Sequence, residues 1–191
     1  YGTLEVTDRS QKYEITVVAN SNTGNVYDGT AKSAEGFETL EFTVEGNTYT
    51  VEGLETSDPS SIDVCDLTNA ISGTAVVKDA NGNDVTSQFT VHTTDGTLEI
   101  TAREVTVSVA DKSVEYNGSE QSGNSEYTFT NVVTGQTATI GYTPSKGTLV
   151  GTFDNGSYAE DFKVEDGSGN DVTSNYTLGT QTKGKLTITD R

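Results

Sequence analysis

The sequence contains no methionine or tryptophan, and only one cysteine, one histidine and two prolines among its 191 residues. The single cysteine, Cys65, cannot form an internal disulfide, so such cross-links do not stabilise the fold. No apolar run approaches the roughly 18 residues that span a bilayer, which argues against membrane insertion of this segment. The absence of methionine, with a strand-like opening over residues 1–9, predicts a segment of a longer exported chain.

Positive charge is also scarce, since 11 Lys and Arg stand against 29 Asp and Glu, giving a net charge of −18. Such a field repels phosphate backbones and anionic lipid surfaces, which argues against nucleic acid or membrane partners. Only 31% of the residues are hydrophobic, but nine Tyr and six Phe are present. Because disordered chains are poor in aromatic residues, the composition predicts a folded, acidic protein with thin cores.

An internal repeat organises the chain. Residues 82–91 (GNDVTSQFTV) return as residues 169–178 (GNDVTSNYTL), and a GxLxxT-type ending occurs at residues 2–9, 95–103 and 183–191. The arginines that close these endings are separated by 103 − 9 = 94 and 191 − 103 = 88 positions. A fixed period of this kind indicates tandem structural repeats.

A tyrosine followed by a turn occurs near the start of each copy, at Tyr27 and Tyr116. Together with the endings, it predicts three segments: residues 1–9 as the closing strand of a preceding repeat, 10–103 as the first β-rich repeat and 104–191 as the second. No Gly, Pro or Ser cluster interrupts the connection between the copies, so the sequence predicts an extended rod. We also expect the chain to be a monomer.

Alternation of apolar and polar residues predicts a mainly β fold. It is clear over residues 13–17 and 105–109, and residues 40–51 are typical of a hairpin. The only predicted helical turn lies near residues 61–67. Positive-φ glycines are predicted in the tight turns at Asn81-Gly82, Asn117-Gly118 and Asn155-Gly156.

These motifs together resemble the MBG/YDG-type repeats of large bacterial cell-surface adhesins. The resemblance covers residues 10–191 and includes the opening strand, the tyrosine turn, the Asp-Val-Thr-x-x-aromatic motif and the closing strand. It implies small β-grasp-like modules, or alternatively immunoglobulin-like β-sandwiches, placed in tandem between a signal peptide and a cell-wall anchor. The first copy departs from the pattern in its longer early connection and in residues 63–70.

A catalytic site is not predicted. His92 is the only histidine and aligns with Gly179 in the second copy, while Cys65 has no basic neighbour that would activate a thiolate. Without a nucleophile and base, a ligand cluster for zinc or a phosphate-binding loop, we expect no enzyme activity and no cofactor.

Calcium is the one metal ion that the motifs bring into question. Asp79, Asn81 and Asp84, and in the second copy Asp166 and Asp171, offer oxygen ligands in a pattern that resembles the start of an EF-hand loop. The glycine comes too early and no bidentate Glu follows at the required distance. Hairpin turns that use Asn, Asp and Gly for backbone reasons are therefore the favoured interpretation.

The two repeated tyrosines allow two interpretations. Tyr27 and Tyr116 are either stacking platforms for a sugar or buried rings that anchor the turn after them, and their recurrence with that turn favours the second. Together with the absence of a catalytic pattern, the resemblance implies a non-catalytic stalk of a secreted, cell-wall-anchored adhesin that presents a distal binding domain. The alternatives are a module that binds a host glycan or extracellular protein, and an accessory domain of an extracellular polysaccharide-degrading enzyme.

Overall fold

The computed structural model describes residues 2–7 and 10–191. These residues are mainly β, with two three-residue 3₁₀ helices and no α-helix among them. None of the helices in this described part of the chain has the length and apolar character to cross a membrane. The chain divides into two compact units: unit 1 is the described part of Tyr1–Asn25 with Thr30–Ile100, and unit 2 is Val26–Gly29 with Thr101–Arg191.

The first sequence copy forms ten strands and a 3₁₀ helix at Thr86–Gln88. β1 and β9 pair in parallel, β4–β5–β8 form an antiparallel sheet, β10 lies between β2 and β7, and β3 pairs with β6. The strands are β1 (Tyr13–Val18), β2 (Asn22–Val26), β3 (Lys32–Ser33), β4 (Glu41–Val44), β5 (Asn47–Thr56), β6 (Ser60–Ser61), β7 (Cys65–Asn69), β8 (Ile71–Asp79), β9 (Phe89–Thr94) and β10 (Gly96–Thr101).

The second copy forms twelve strands and a 3₁₀ helix at Thr173–Asn175. β11 lies between β14 and β21, β22 lies between β12 and β18, and β13–β17, β15–β20 and β16–β19 pair separately. The strands are β11 (Arg103–Val109), β12 (Lys112–Glu115), β13 (Gln121–Ser122), β14 (Tyr127–Thr130), β15 (Thr137–Thr139), β16 (Tyr142–Thr143), β17 (Lys146–Gly147), β18 (Gly151–Phe153), β19 (Ser157–Tyr158), β20 (Lys163–Glu165), β21 (Tyr176–Thr182) and β22 (Leu186–Thr189).

Each unit buries the alternating side chains of its opening and closing strands. In unit 1, Ile15, Val17 and Phe89 pack with Val51 and Val77. The closing strands bury Leu98 with Ile100 in β10 and Leu186 with Ile188 in β22, which confirms the period-two pattern that their sequences predict. The buried hydrophobic side chains of unit 2 are Tyr27, Val105, Val107, Val109, Ile140, Val164, Tyr176, Leu186 and Ile188.

The hairpin predicted over residues 40–51 is confirmed. β4 and β5 pair in antiparallel register, with Phe42 opposite Tyr49 and Val44 opposite Asn47. In the second copy, however, β14 does not pair with the next strand along the chain. It lies against β11, with Phe129 opposite Val107.

The helical turn predicted near residues 61–67 is wrong, because most of this segment is strand. β7 pairs with the closing strand β10, placing Cys65 opposite Ile100 and Leu67 opposite Leu98. This pairing satisfies the backbone of residues 65–67 as β structure, so no helical turn forms there.

Two other expectations differ from the structure. Gly82 and Gly118 have the predicted positive φ, but Gly156 does not. At Gly156 a Cβ would lie 2.5 Å from the Tyr142 hydroxyl oxygen and 3.1 Å from the Ser145 amide nitrogen, so close packing favours glycine there. Residues 2–7, predicted to be part of a closing strand, are not in a strand. The rest of that prediction falls on Tyr1, Asp8 and Arg9, which lie outside the described residues.

Candidate functional site

The most specific side-chain arrangement in unit 2 surrounds Tyr27. The ring is 2% exposed and lies edge-on to the ring of Tyr176, with ring centroids 5.4 Å apart and an interplanar angle of 76°. Gln136 Nε2 donates a hydrogen bond to the Tyr27 hydroxyl at 2.8 Å, and the Tyr176 hydroxyl donates to Gln136 Oε1. Together with Arg103, which binds the Tyr27 carbonyl, Tyr176 and Gln136 form a site that we call the tyrosine pocket.

Arg103 holds the backbone of the same turn. Its Nη1 donates to the Tyr27 carbonyl at 3.2 Å, while Nε and Nη2 donate to the main-chain and side-chain oxygens of Asn131 at 2.7 and 2.8 Å. Asn131 has a φ of 69° and donates to the Glu104 carbonyl at 2.8 Å. The planar guanidinium thus joins two segments through fixed donors, which an ammonium group would not do with the same geometry.

Burial in the tyrosine pocket also changes the pKa of the Tyr176 hydroxyl. Desolvation raises the pKa of the Tyr176 hydroxyl above its usual value of 10.0, and the hydrogen bond from the Val133 amide offsets this in part. The hydroxyl therefore stays protonated at neutral pH and remains a donor to Gln136. The polar groups around the Tyr27 ring are thus hydrogen-bonded to one another.

Tyr116 occupies the matching position in the second copy but not a matching environment. Its amide donates to the Thr189 carbonyl at 2.9 Å, as the Tyr27 amide donates to Thr101 at 2.9 Å. Its side chain is 37% exposed, against 2% for Tyr27. The predicted buried, anchoring role is therefore correct for Tyr27 and does not describe Tyr116.

A second arrangement is the acidic turn after β8. Asp79 Oδ1 accepts hydrogen bonds from the amides of Asn81 and Asn83, both at 2.9 Å, and Oδ2 accepts one from Asn83 Nδ2 at 3.0 Å. The Asn83 side chain first, and then its amide, hold the pKa of Asp79 below the ordinary value of 3.8. Both carboxylate oxygens are thus used within the turn.

The turn after β20 repeats these bonds. Asp166 Oδ1 accepts from the amides of Ser168 and Asn170 at 2.8 and 2.9 Å, and Oδ2 from Asn170 Nδ2 at 2.9 Å. The Asn170 side chain is again the main cause of a lowered pKa at Asp166. The two equivalent aspartates, Asp79 and Asp166, lie 166 − 79 = 87 positions apart in the sequence.

The remaining acidic candidates, Asp84 and Asp171, lie two residues before the first residue of each 3₁₀ helix. Asp84 Oδ1 accepts from the Thr86 amide at 3.0 Å and hydroxyl at 2.7 Å, and Asp171 accepts from the Thr173 amide at 2.9 Å. These threonines lower the pKa of both aspartates. Asn81 contributes its amide to Asp79.

Across residues 2–7 and 10–191, no group of three or more His, Cys, Asp or Glu side chains is arranged to hold a metal ion. The calcium prediction at Asp79, Asn81, Asp84, Asp166 and Asp171 remains a prediction. Its alternative, the backbone-directed turn, agrees with every hydrogen bond above.

His92 and Cys65, the two residues considered for catalysis, lie in unrelated surroundings. His92 Nε2 is 3.9 Å from Glu14 Oε1, with both side chains more than half exposed. Cys65 is half-buried, and its Sγ lies 3.9 Å from the Leu98 carbonyl oxygen. This geometry does not bring the two together as a nucleophile and a base.

A surface groove lies in each unit. In unit 2 a groove of about 560 Å³ has a polar lining that includes Lys112, Asn124, Ser125 and Glu126, without an aromatic ring. In unit 1 a groove of about 260 Å³ lies beside Tyr49 and the acidic turn at Asp79.

Comparison with known proteins adds no family: no protein-family model, curated protein or solved structure matches the chain. Sequence reasoning identified Tyr27 but missed Arg103, Asn131, Gln136 and Tyr176 as its partners. Tyr176 carried a signal, because it is the aromatic residue of the second Asp-Val-Thr motif. Nothing in the local sequence connects Tyr27 with Gln136, which lies 109 positions later.

Proposed function

We propose that this chain is a non-catalytic stalk segment of a secreted bacterial adhesin, built from two tandem modules similar to MBG/YDG-type repeats. Its role is to hold a distal binding domain away from the cell wall. The observation that carries this proposal is the acidic-turn network, which occurs with the same donors and acceptors at positions 87 apart, as in 79 and 166.

The network extends into both cores in the same way, which supports duplication of one module. Val77 donates its amide to Thr86 Oγ1 at 2.9 Å and accepts from the Val85 amide at 2.9 Å. In the second copy Val164 makes both bonds, with Thr173 at 2.8 Å and Val172 at 2.9 Å. These bonds fix the position of the turn against the core in both copies.

The strand directions favour a β-grasp-like module over an immunoglobulin-like sandwich. Immunoglobulin-like sandwiches are built from two antiparallel sheets. Here the opening strand of each copy pairs in parallel with a late strand, β1 with β9 and β11 with β21.

Small-angle X-ray scattering tests the stalk directly. A chain in which residues 10–191 are duplicated should have a radius of gyration about twice that of the 191-residue chain if the modules form a rod. A globule of doubled length would grow only about 1.3-fold. As a control, a Gly/Ser segment inserted after Ala102 should make the connection flexible and broaden the distance distribution.

A second candidate function, recognition of a host glycan, is favoured by the polar groove of unit 2. Its lining of hydroxyl, amide and charged groups is suited to sugar hydroxyls. A glycan-array screen of the chain, with Glu126→Ala as the groove variant and Glu55→Ala as an exposed control, separates the two functions. Binding that is lost only with Glu126→Ala would replace the stalk proposal.

A further inference from the structure

The two tyrosine turns make the same backbone hydrogen bond but differ in what surrounds the ring. Tyr27 and Tyr116 both follow a strand that lies beside the closing strand of their copy, and both donate their amide to the threonine that ends it. Gly29 and Gly118 supply similar positive φ values of 77° and 80° to the two turns. The backbone thus presents both rings in equivalent positions.

Only the first ring has a pocket. Unit 2 consists of Val26–Gly29 and the continuous segment Thr101–Arg191, so the ring of Tyr27 reaches its pocket from a separate part of the chain. In that pocket it has an aromatic partner, a hydroxyl partner and a clamp on its carbonyl, from Tyr176, Gln136 and Arg103.

We propose that the turn of Tyr116, Asn117 and Gly118 inserts into the tyrosine pocket of a further module of the unit 2 kind. The inference goes beyond the proposed function, because it specifies how one module recognises another, wherever the protein acts. The occupant is a module that supplies the equivalents of Tyr176 and Gln136. A second copy of the present chain does not fit, since its own Tyr27 already fills that pocket.

The position of Arg191 supports this choice of partner. It follows Ile188 at the same spacing as Arg103 follows Ile100. A module continuing from Arg191 would therefore have an arginine where unit 2 has Arg103, which clamps the Tyr27 carbonyl. The same residue would be available to clamp the carbonyl of Tyr116.

The exposed apolar residues of unit 2 are not included in the proposed contact. Leu149 and Val150 are 68% and 53% exposed, but the corresponding loop of the first copy also leaves Ile62 and Val64 exposed, at 50% and 38%. Exposure of this loop is common to both copies. The environment of the tyrosine is the feature that distinguishes them.

The test is a three-module chain in which residues 104–191 are fused directly after Arg191. The added copy carries Tyr116→Phe, so that only the original Tyr116 remains at that position and its peptide has a distinct mass. Nitration with tetranitromethane and peptide mapping then report access to each ring. We expect Tyr116 to be nitrated in the 191-residue chain and protected in the three-module chain, with Tyr27 protected in both.

Limited proteolysis supplies a second readout. In the three-module chain, Tyr116→Ala at the original position should make the added copy sensitive to protease, so that digestion leaves a fragment of residues 1–191. The chain that keeps this tyrosine should resist cleavage. Tyr27→Ala in the 191-residue chain is the reference for loss of a seated ring, and it should make unit 2 sensitive to protease.

Several outcomes would overturn the proposal. One is equal nitration of the original Tyr116 with and without the added copy. Another is failure of the added copy to fold although its pocket residues and the original Tyr116 are unchanged. Protection of Tyr116 by soluble oligosaccharides but not by the added copy would identify a sugar platform instead. The scattering and glycan-array results do not depend on the tyrosine, so failure here leaves the stalk proposal to its own test.

Discussion

The glycine of the closing motif is required by close backbone packing. At Gly184 a Cβ would lie 2.6 Å from the Ala110 carbonyl oxygen and 2.7 Å from Val109 Cγ1. At Gly96, the equivalent residue of unit 1, a Cβ would overlap the Asn20 carbonyl. Neither has a positive φ, so the space beside the loop after the opening strand is what selects glycine.

Gly184→Ala should therefore destabilise unit 2 by about 1–3 kcal/mol, because the backbone of the neighbouring loop must move to admit the methyl group. Gly167→Ala is the matched control: it is exposed, its φ is not in the left-handed region, and its nearest neighbour is 3.4 Å away. We expect a change below about 0.5 kcal/mol for the control.

Urea unfolding followed by circular dichroism gives the free energies, and amide hydrogen exchange assigns them to unit 1 or unit 2. Equal effects of the two substitutions would show that the close contact at Gly184 does not constrain the fold.

At the scale of elements, the acidic turns join neighbouring strands through carboxylates that act as acceptors. The pKa of Asp166 is lowered because its charged form accepts three hydrogen bonds, with the Asn170 side chain contributing most. A lowered folded-state pKa means that the unfolded chain binds the proton more tightly. The stabilisation is thus fully present above the unfolded value of about 3.8 and is lost as the pH falls through the lower folded-state pKa.

Asp166→Asn should lower the melting temperature at pH 7, and the difference from the unsubstituted chain should shrink as the pH falls below about 3.8. Carboxyl ¹³C NMR of the unsubstituted chain should place the titration of Asp79 and Asp166 below that value. Asp154→Asn removes one exposed charge and serves as the control. A melting-temperature difference for Asp166→Asn that persists unchanged to pH 2 would contradict the role of the charged carboxylate.

At the scale of the whole molecule, repulsion among acidic groups is the dominant electrostatic feature. A net charge of −18 on 191 residues destabilises any compact state through like-charge contacts, and dissolved salt screens them. Ion pairs such as those of Lys146 and Lys163 are partly or largely exposed, so they offset little of this repulsion.

Raising NaCl from about 10 mM to 0.5 M should therefore increase the melting temperature of both units, since the Debye length falls from about 30 Å to a few Å. Scanning calorimetry provides the measurement, and KCl should give the same curve. A falling melting temperature would mean that attractive pairs dominate. Calcium that stabilises more than magnesium at equal concentration would instead support a calcium site at Asp79 or Asp166.

Strands could be predicted from the sequence where one face is buried. They were harder to predict where a strand forms only because it pairs with a distant strand. Ile15 and Val17 alternate with polar neighbours and are buried as expected, as are Leu186 and Ile188. The helical turn predicted near Cys65 is wrong because the strand that forms there depends on pairing with the distant strand β10, and not on the local alternation of apolar and polar residues. Local propensity has little weight in such a case.

The tyrosine pocket shows the same division at the level of a site. The repeat identified Tyr27 and Tyr116 as equivalent, but no sequence pattern distinguishes a buried ring from an exposed one. The difference of 2% against 37% exposure arises only because Tyr176 and Gln136 converge on one of them.

The sequence by itself determined the β class, the acidic surface, the repeated turns and the inward side of the closing strands. These features follow from composition and from a two-residue period, which are local properties of the chain. Only the tertiary structure decided that residues 26–29 belong to unit 2, that Gly184 packs against Ala110, and that Arg103 clamps a turn 76 positions earlier. Those contacts depend on which distant segments meet, and a side-chain pattern does not encode its partner.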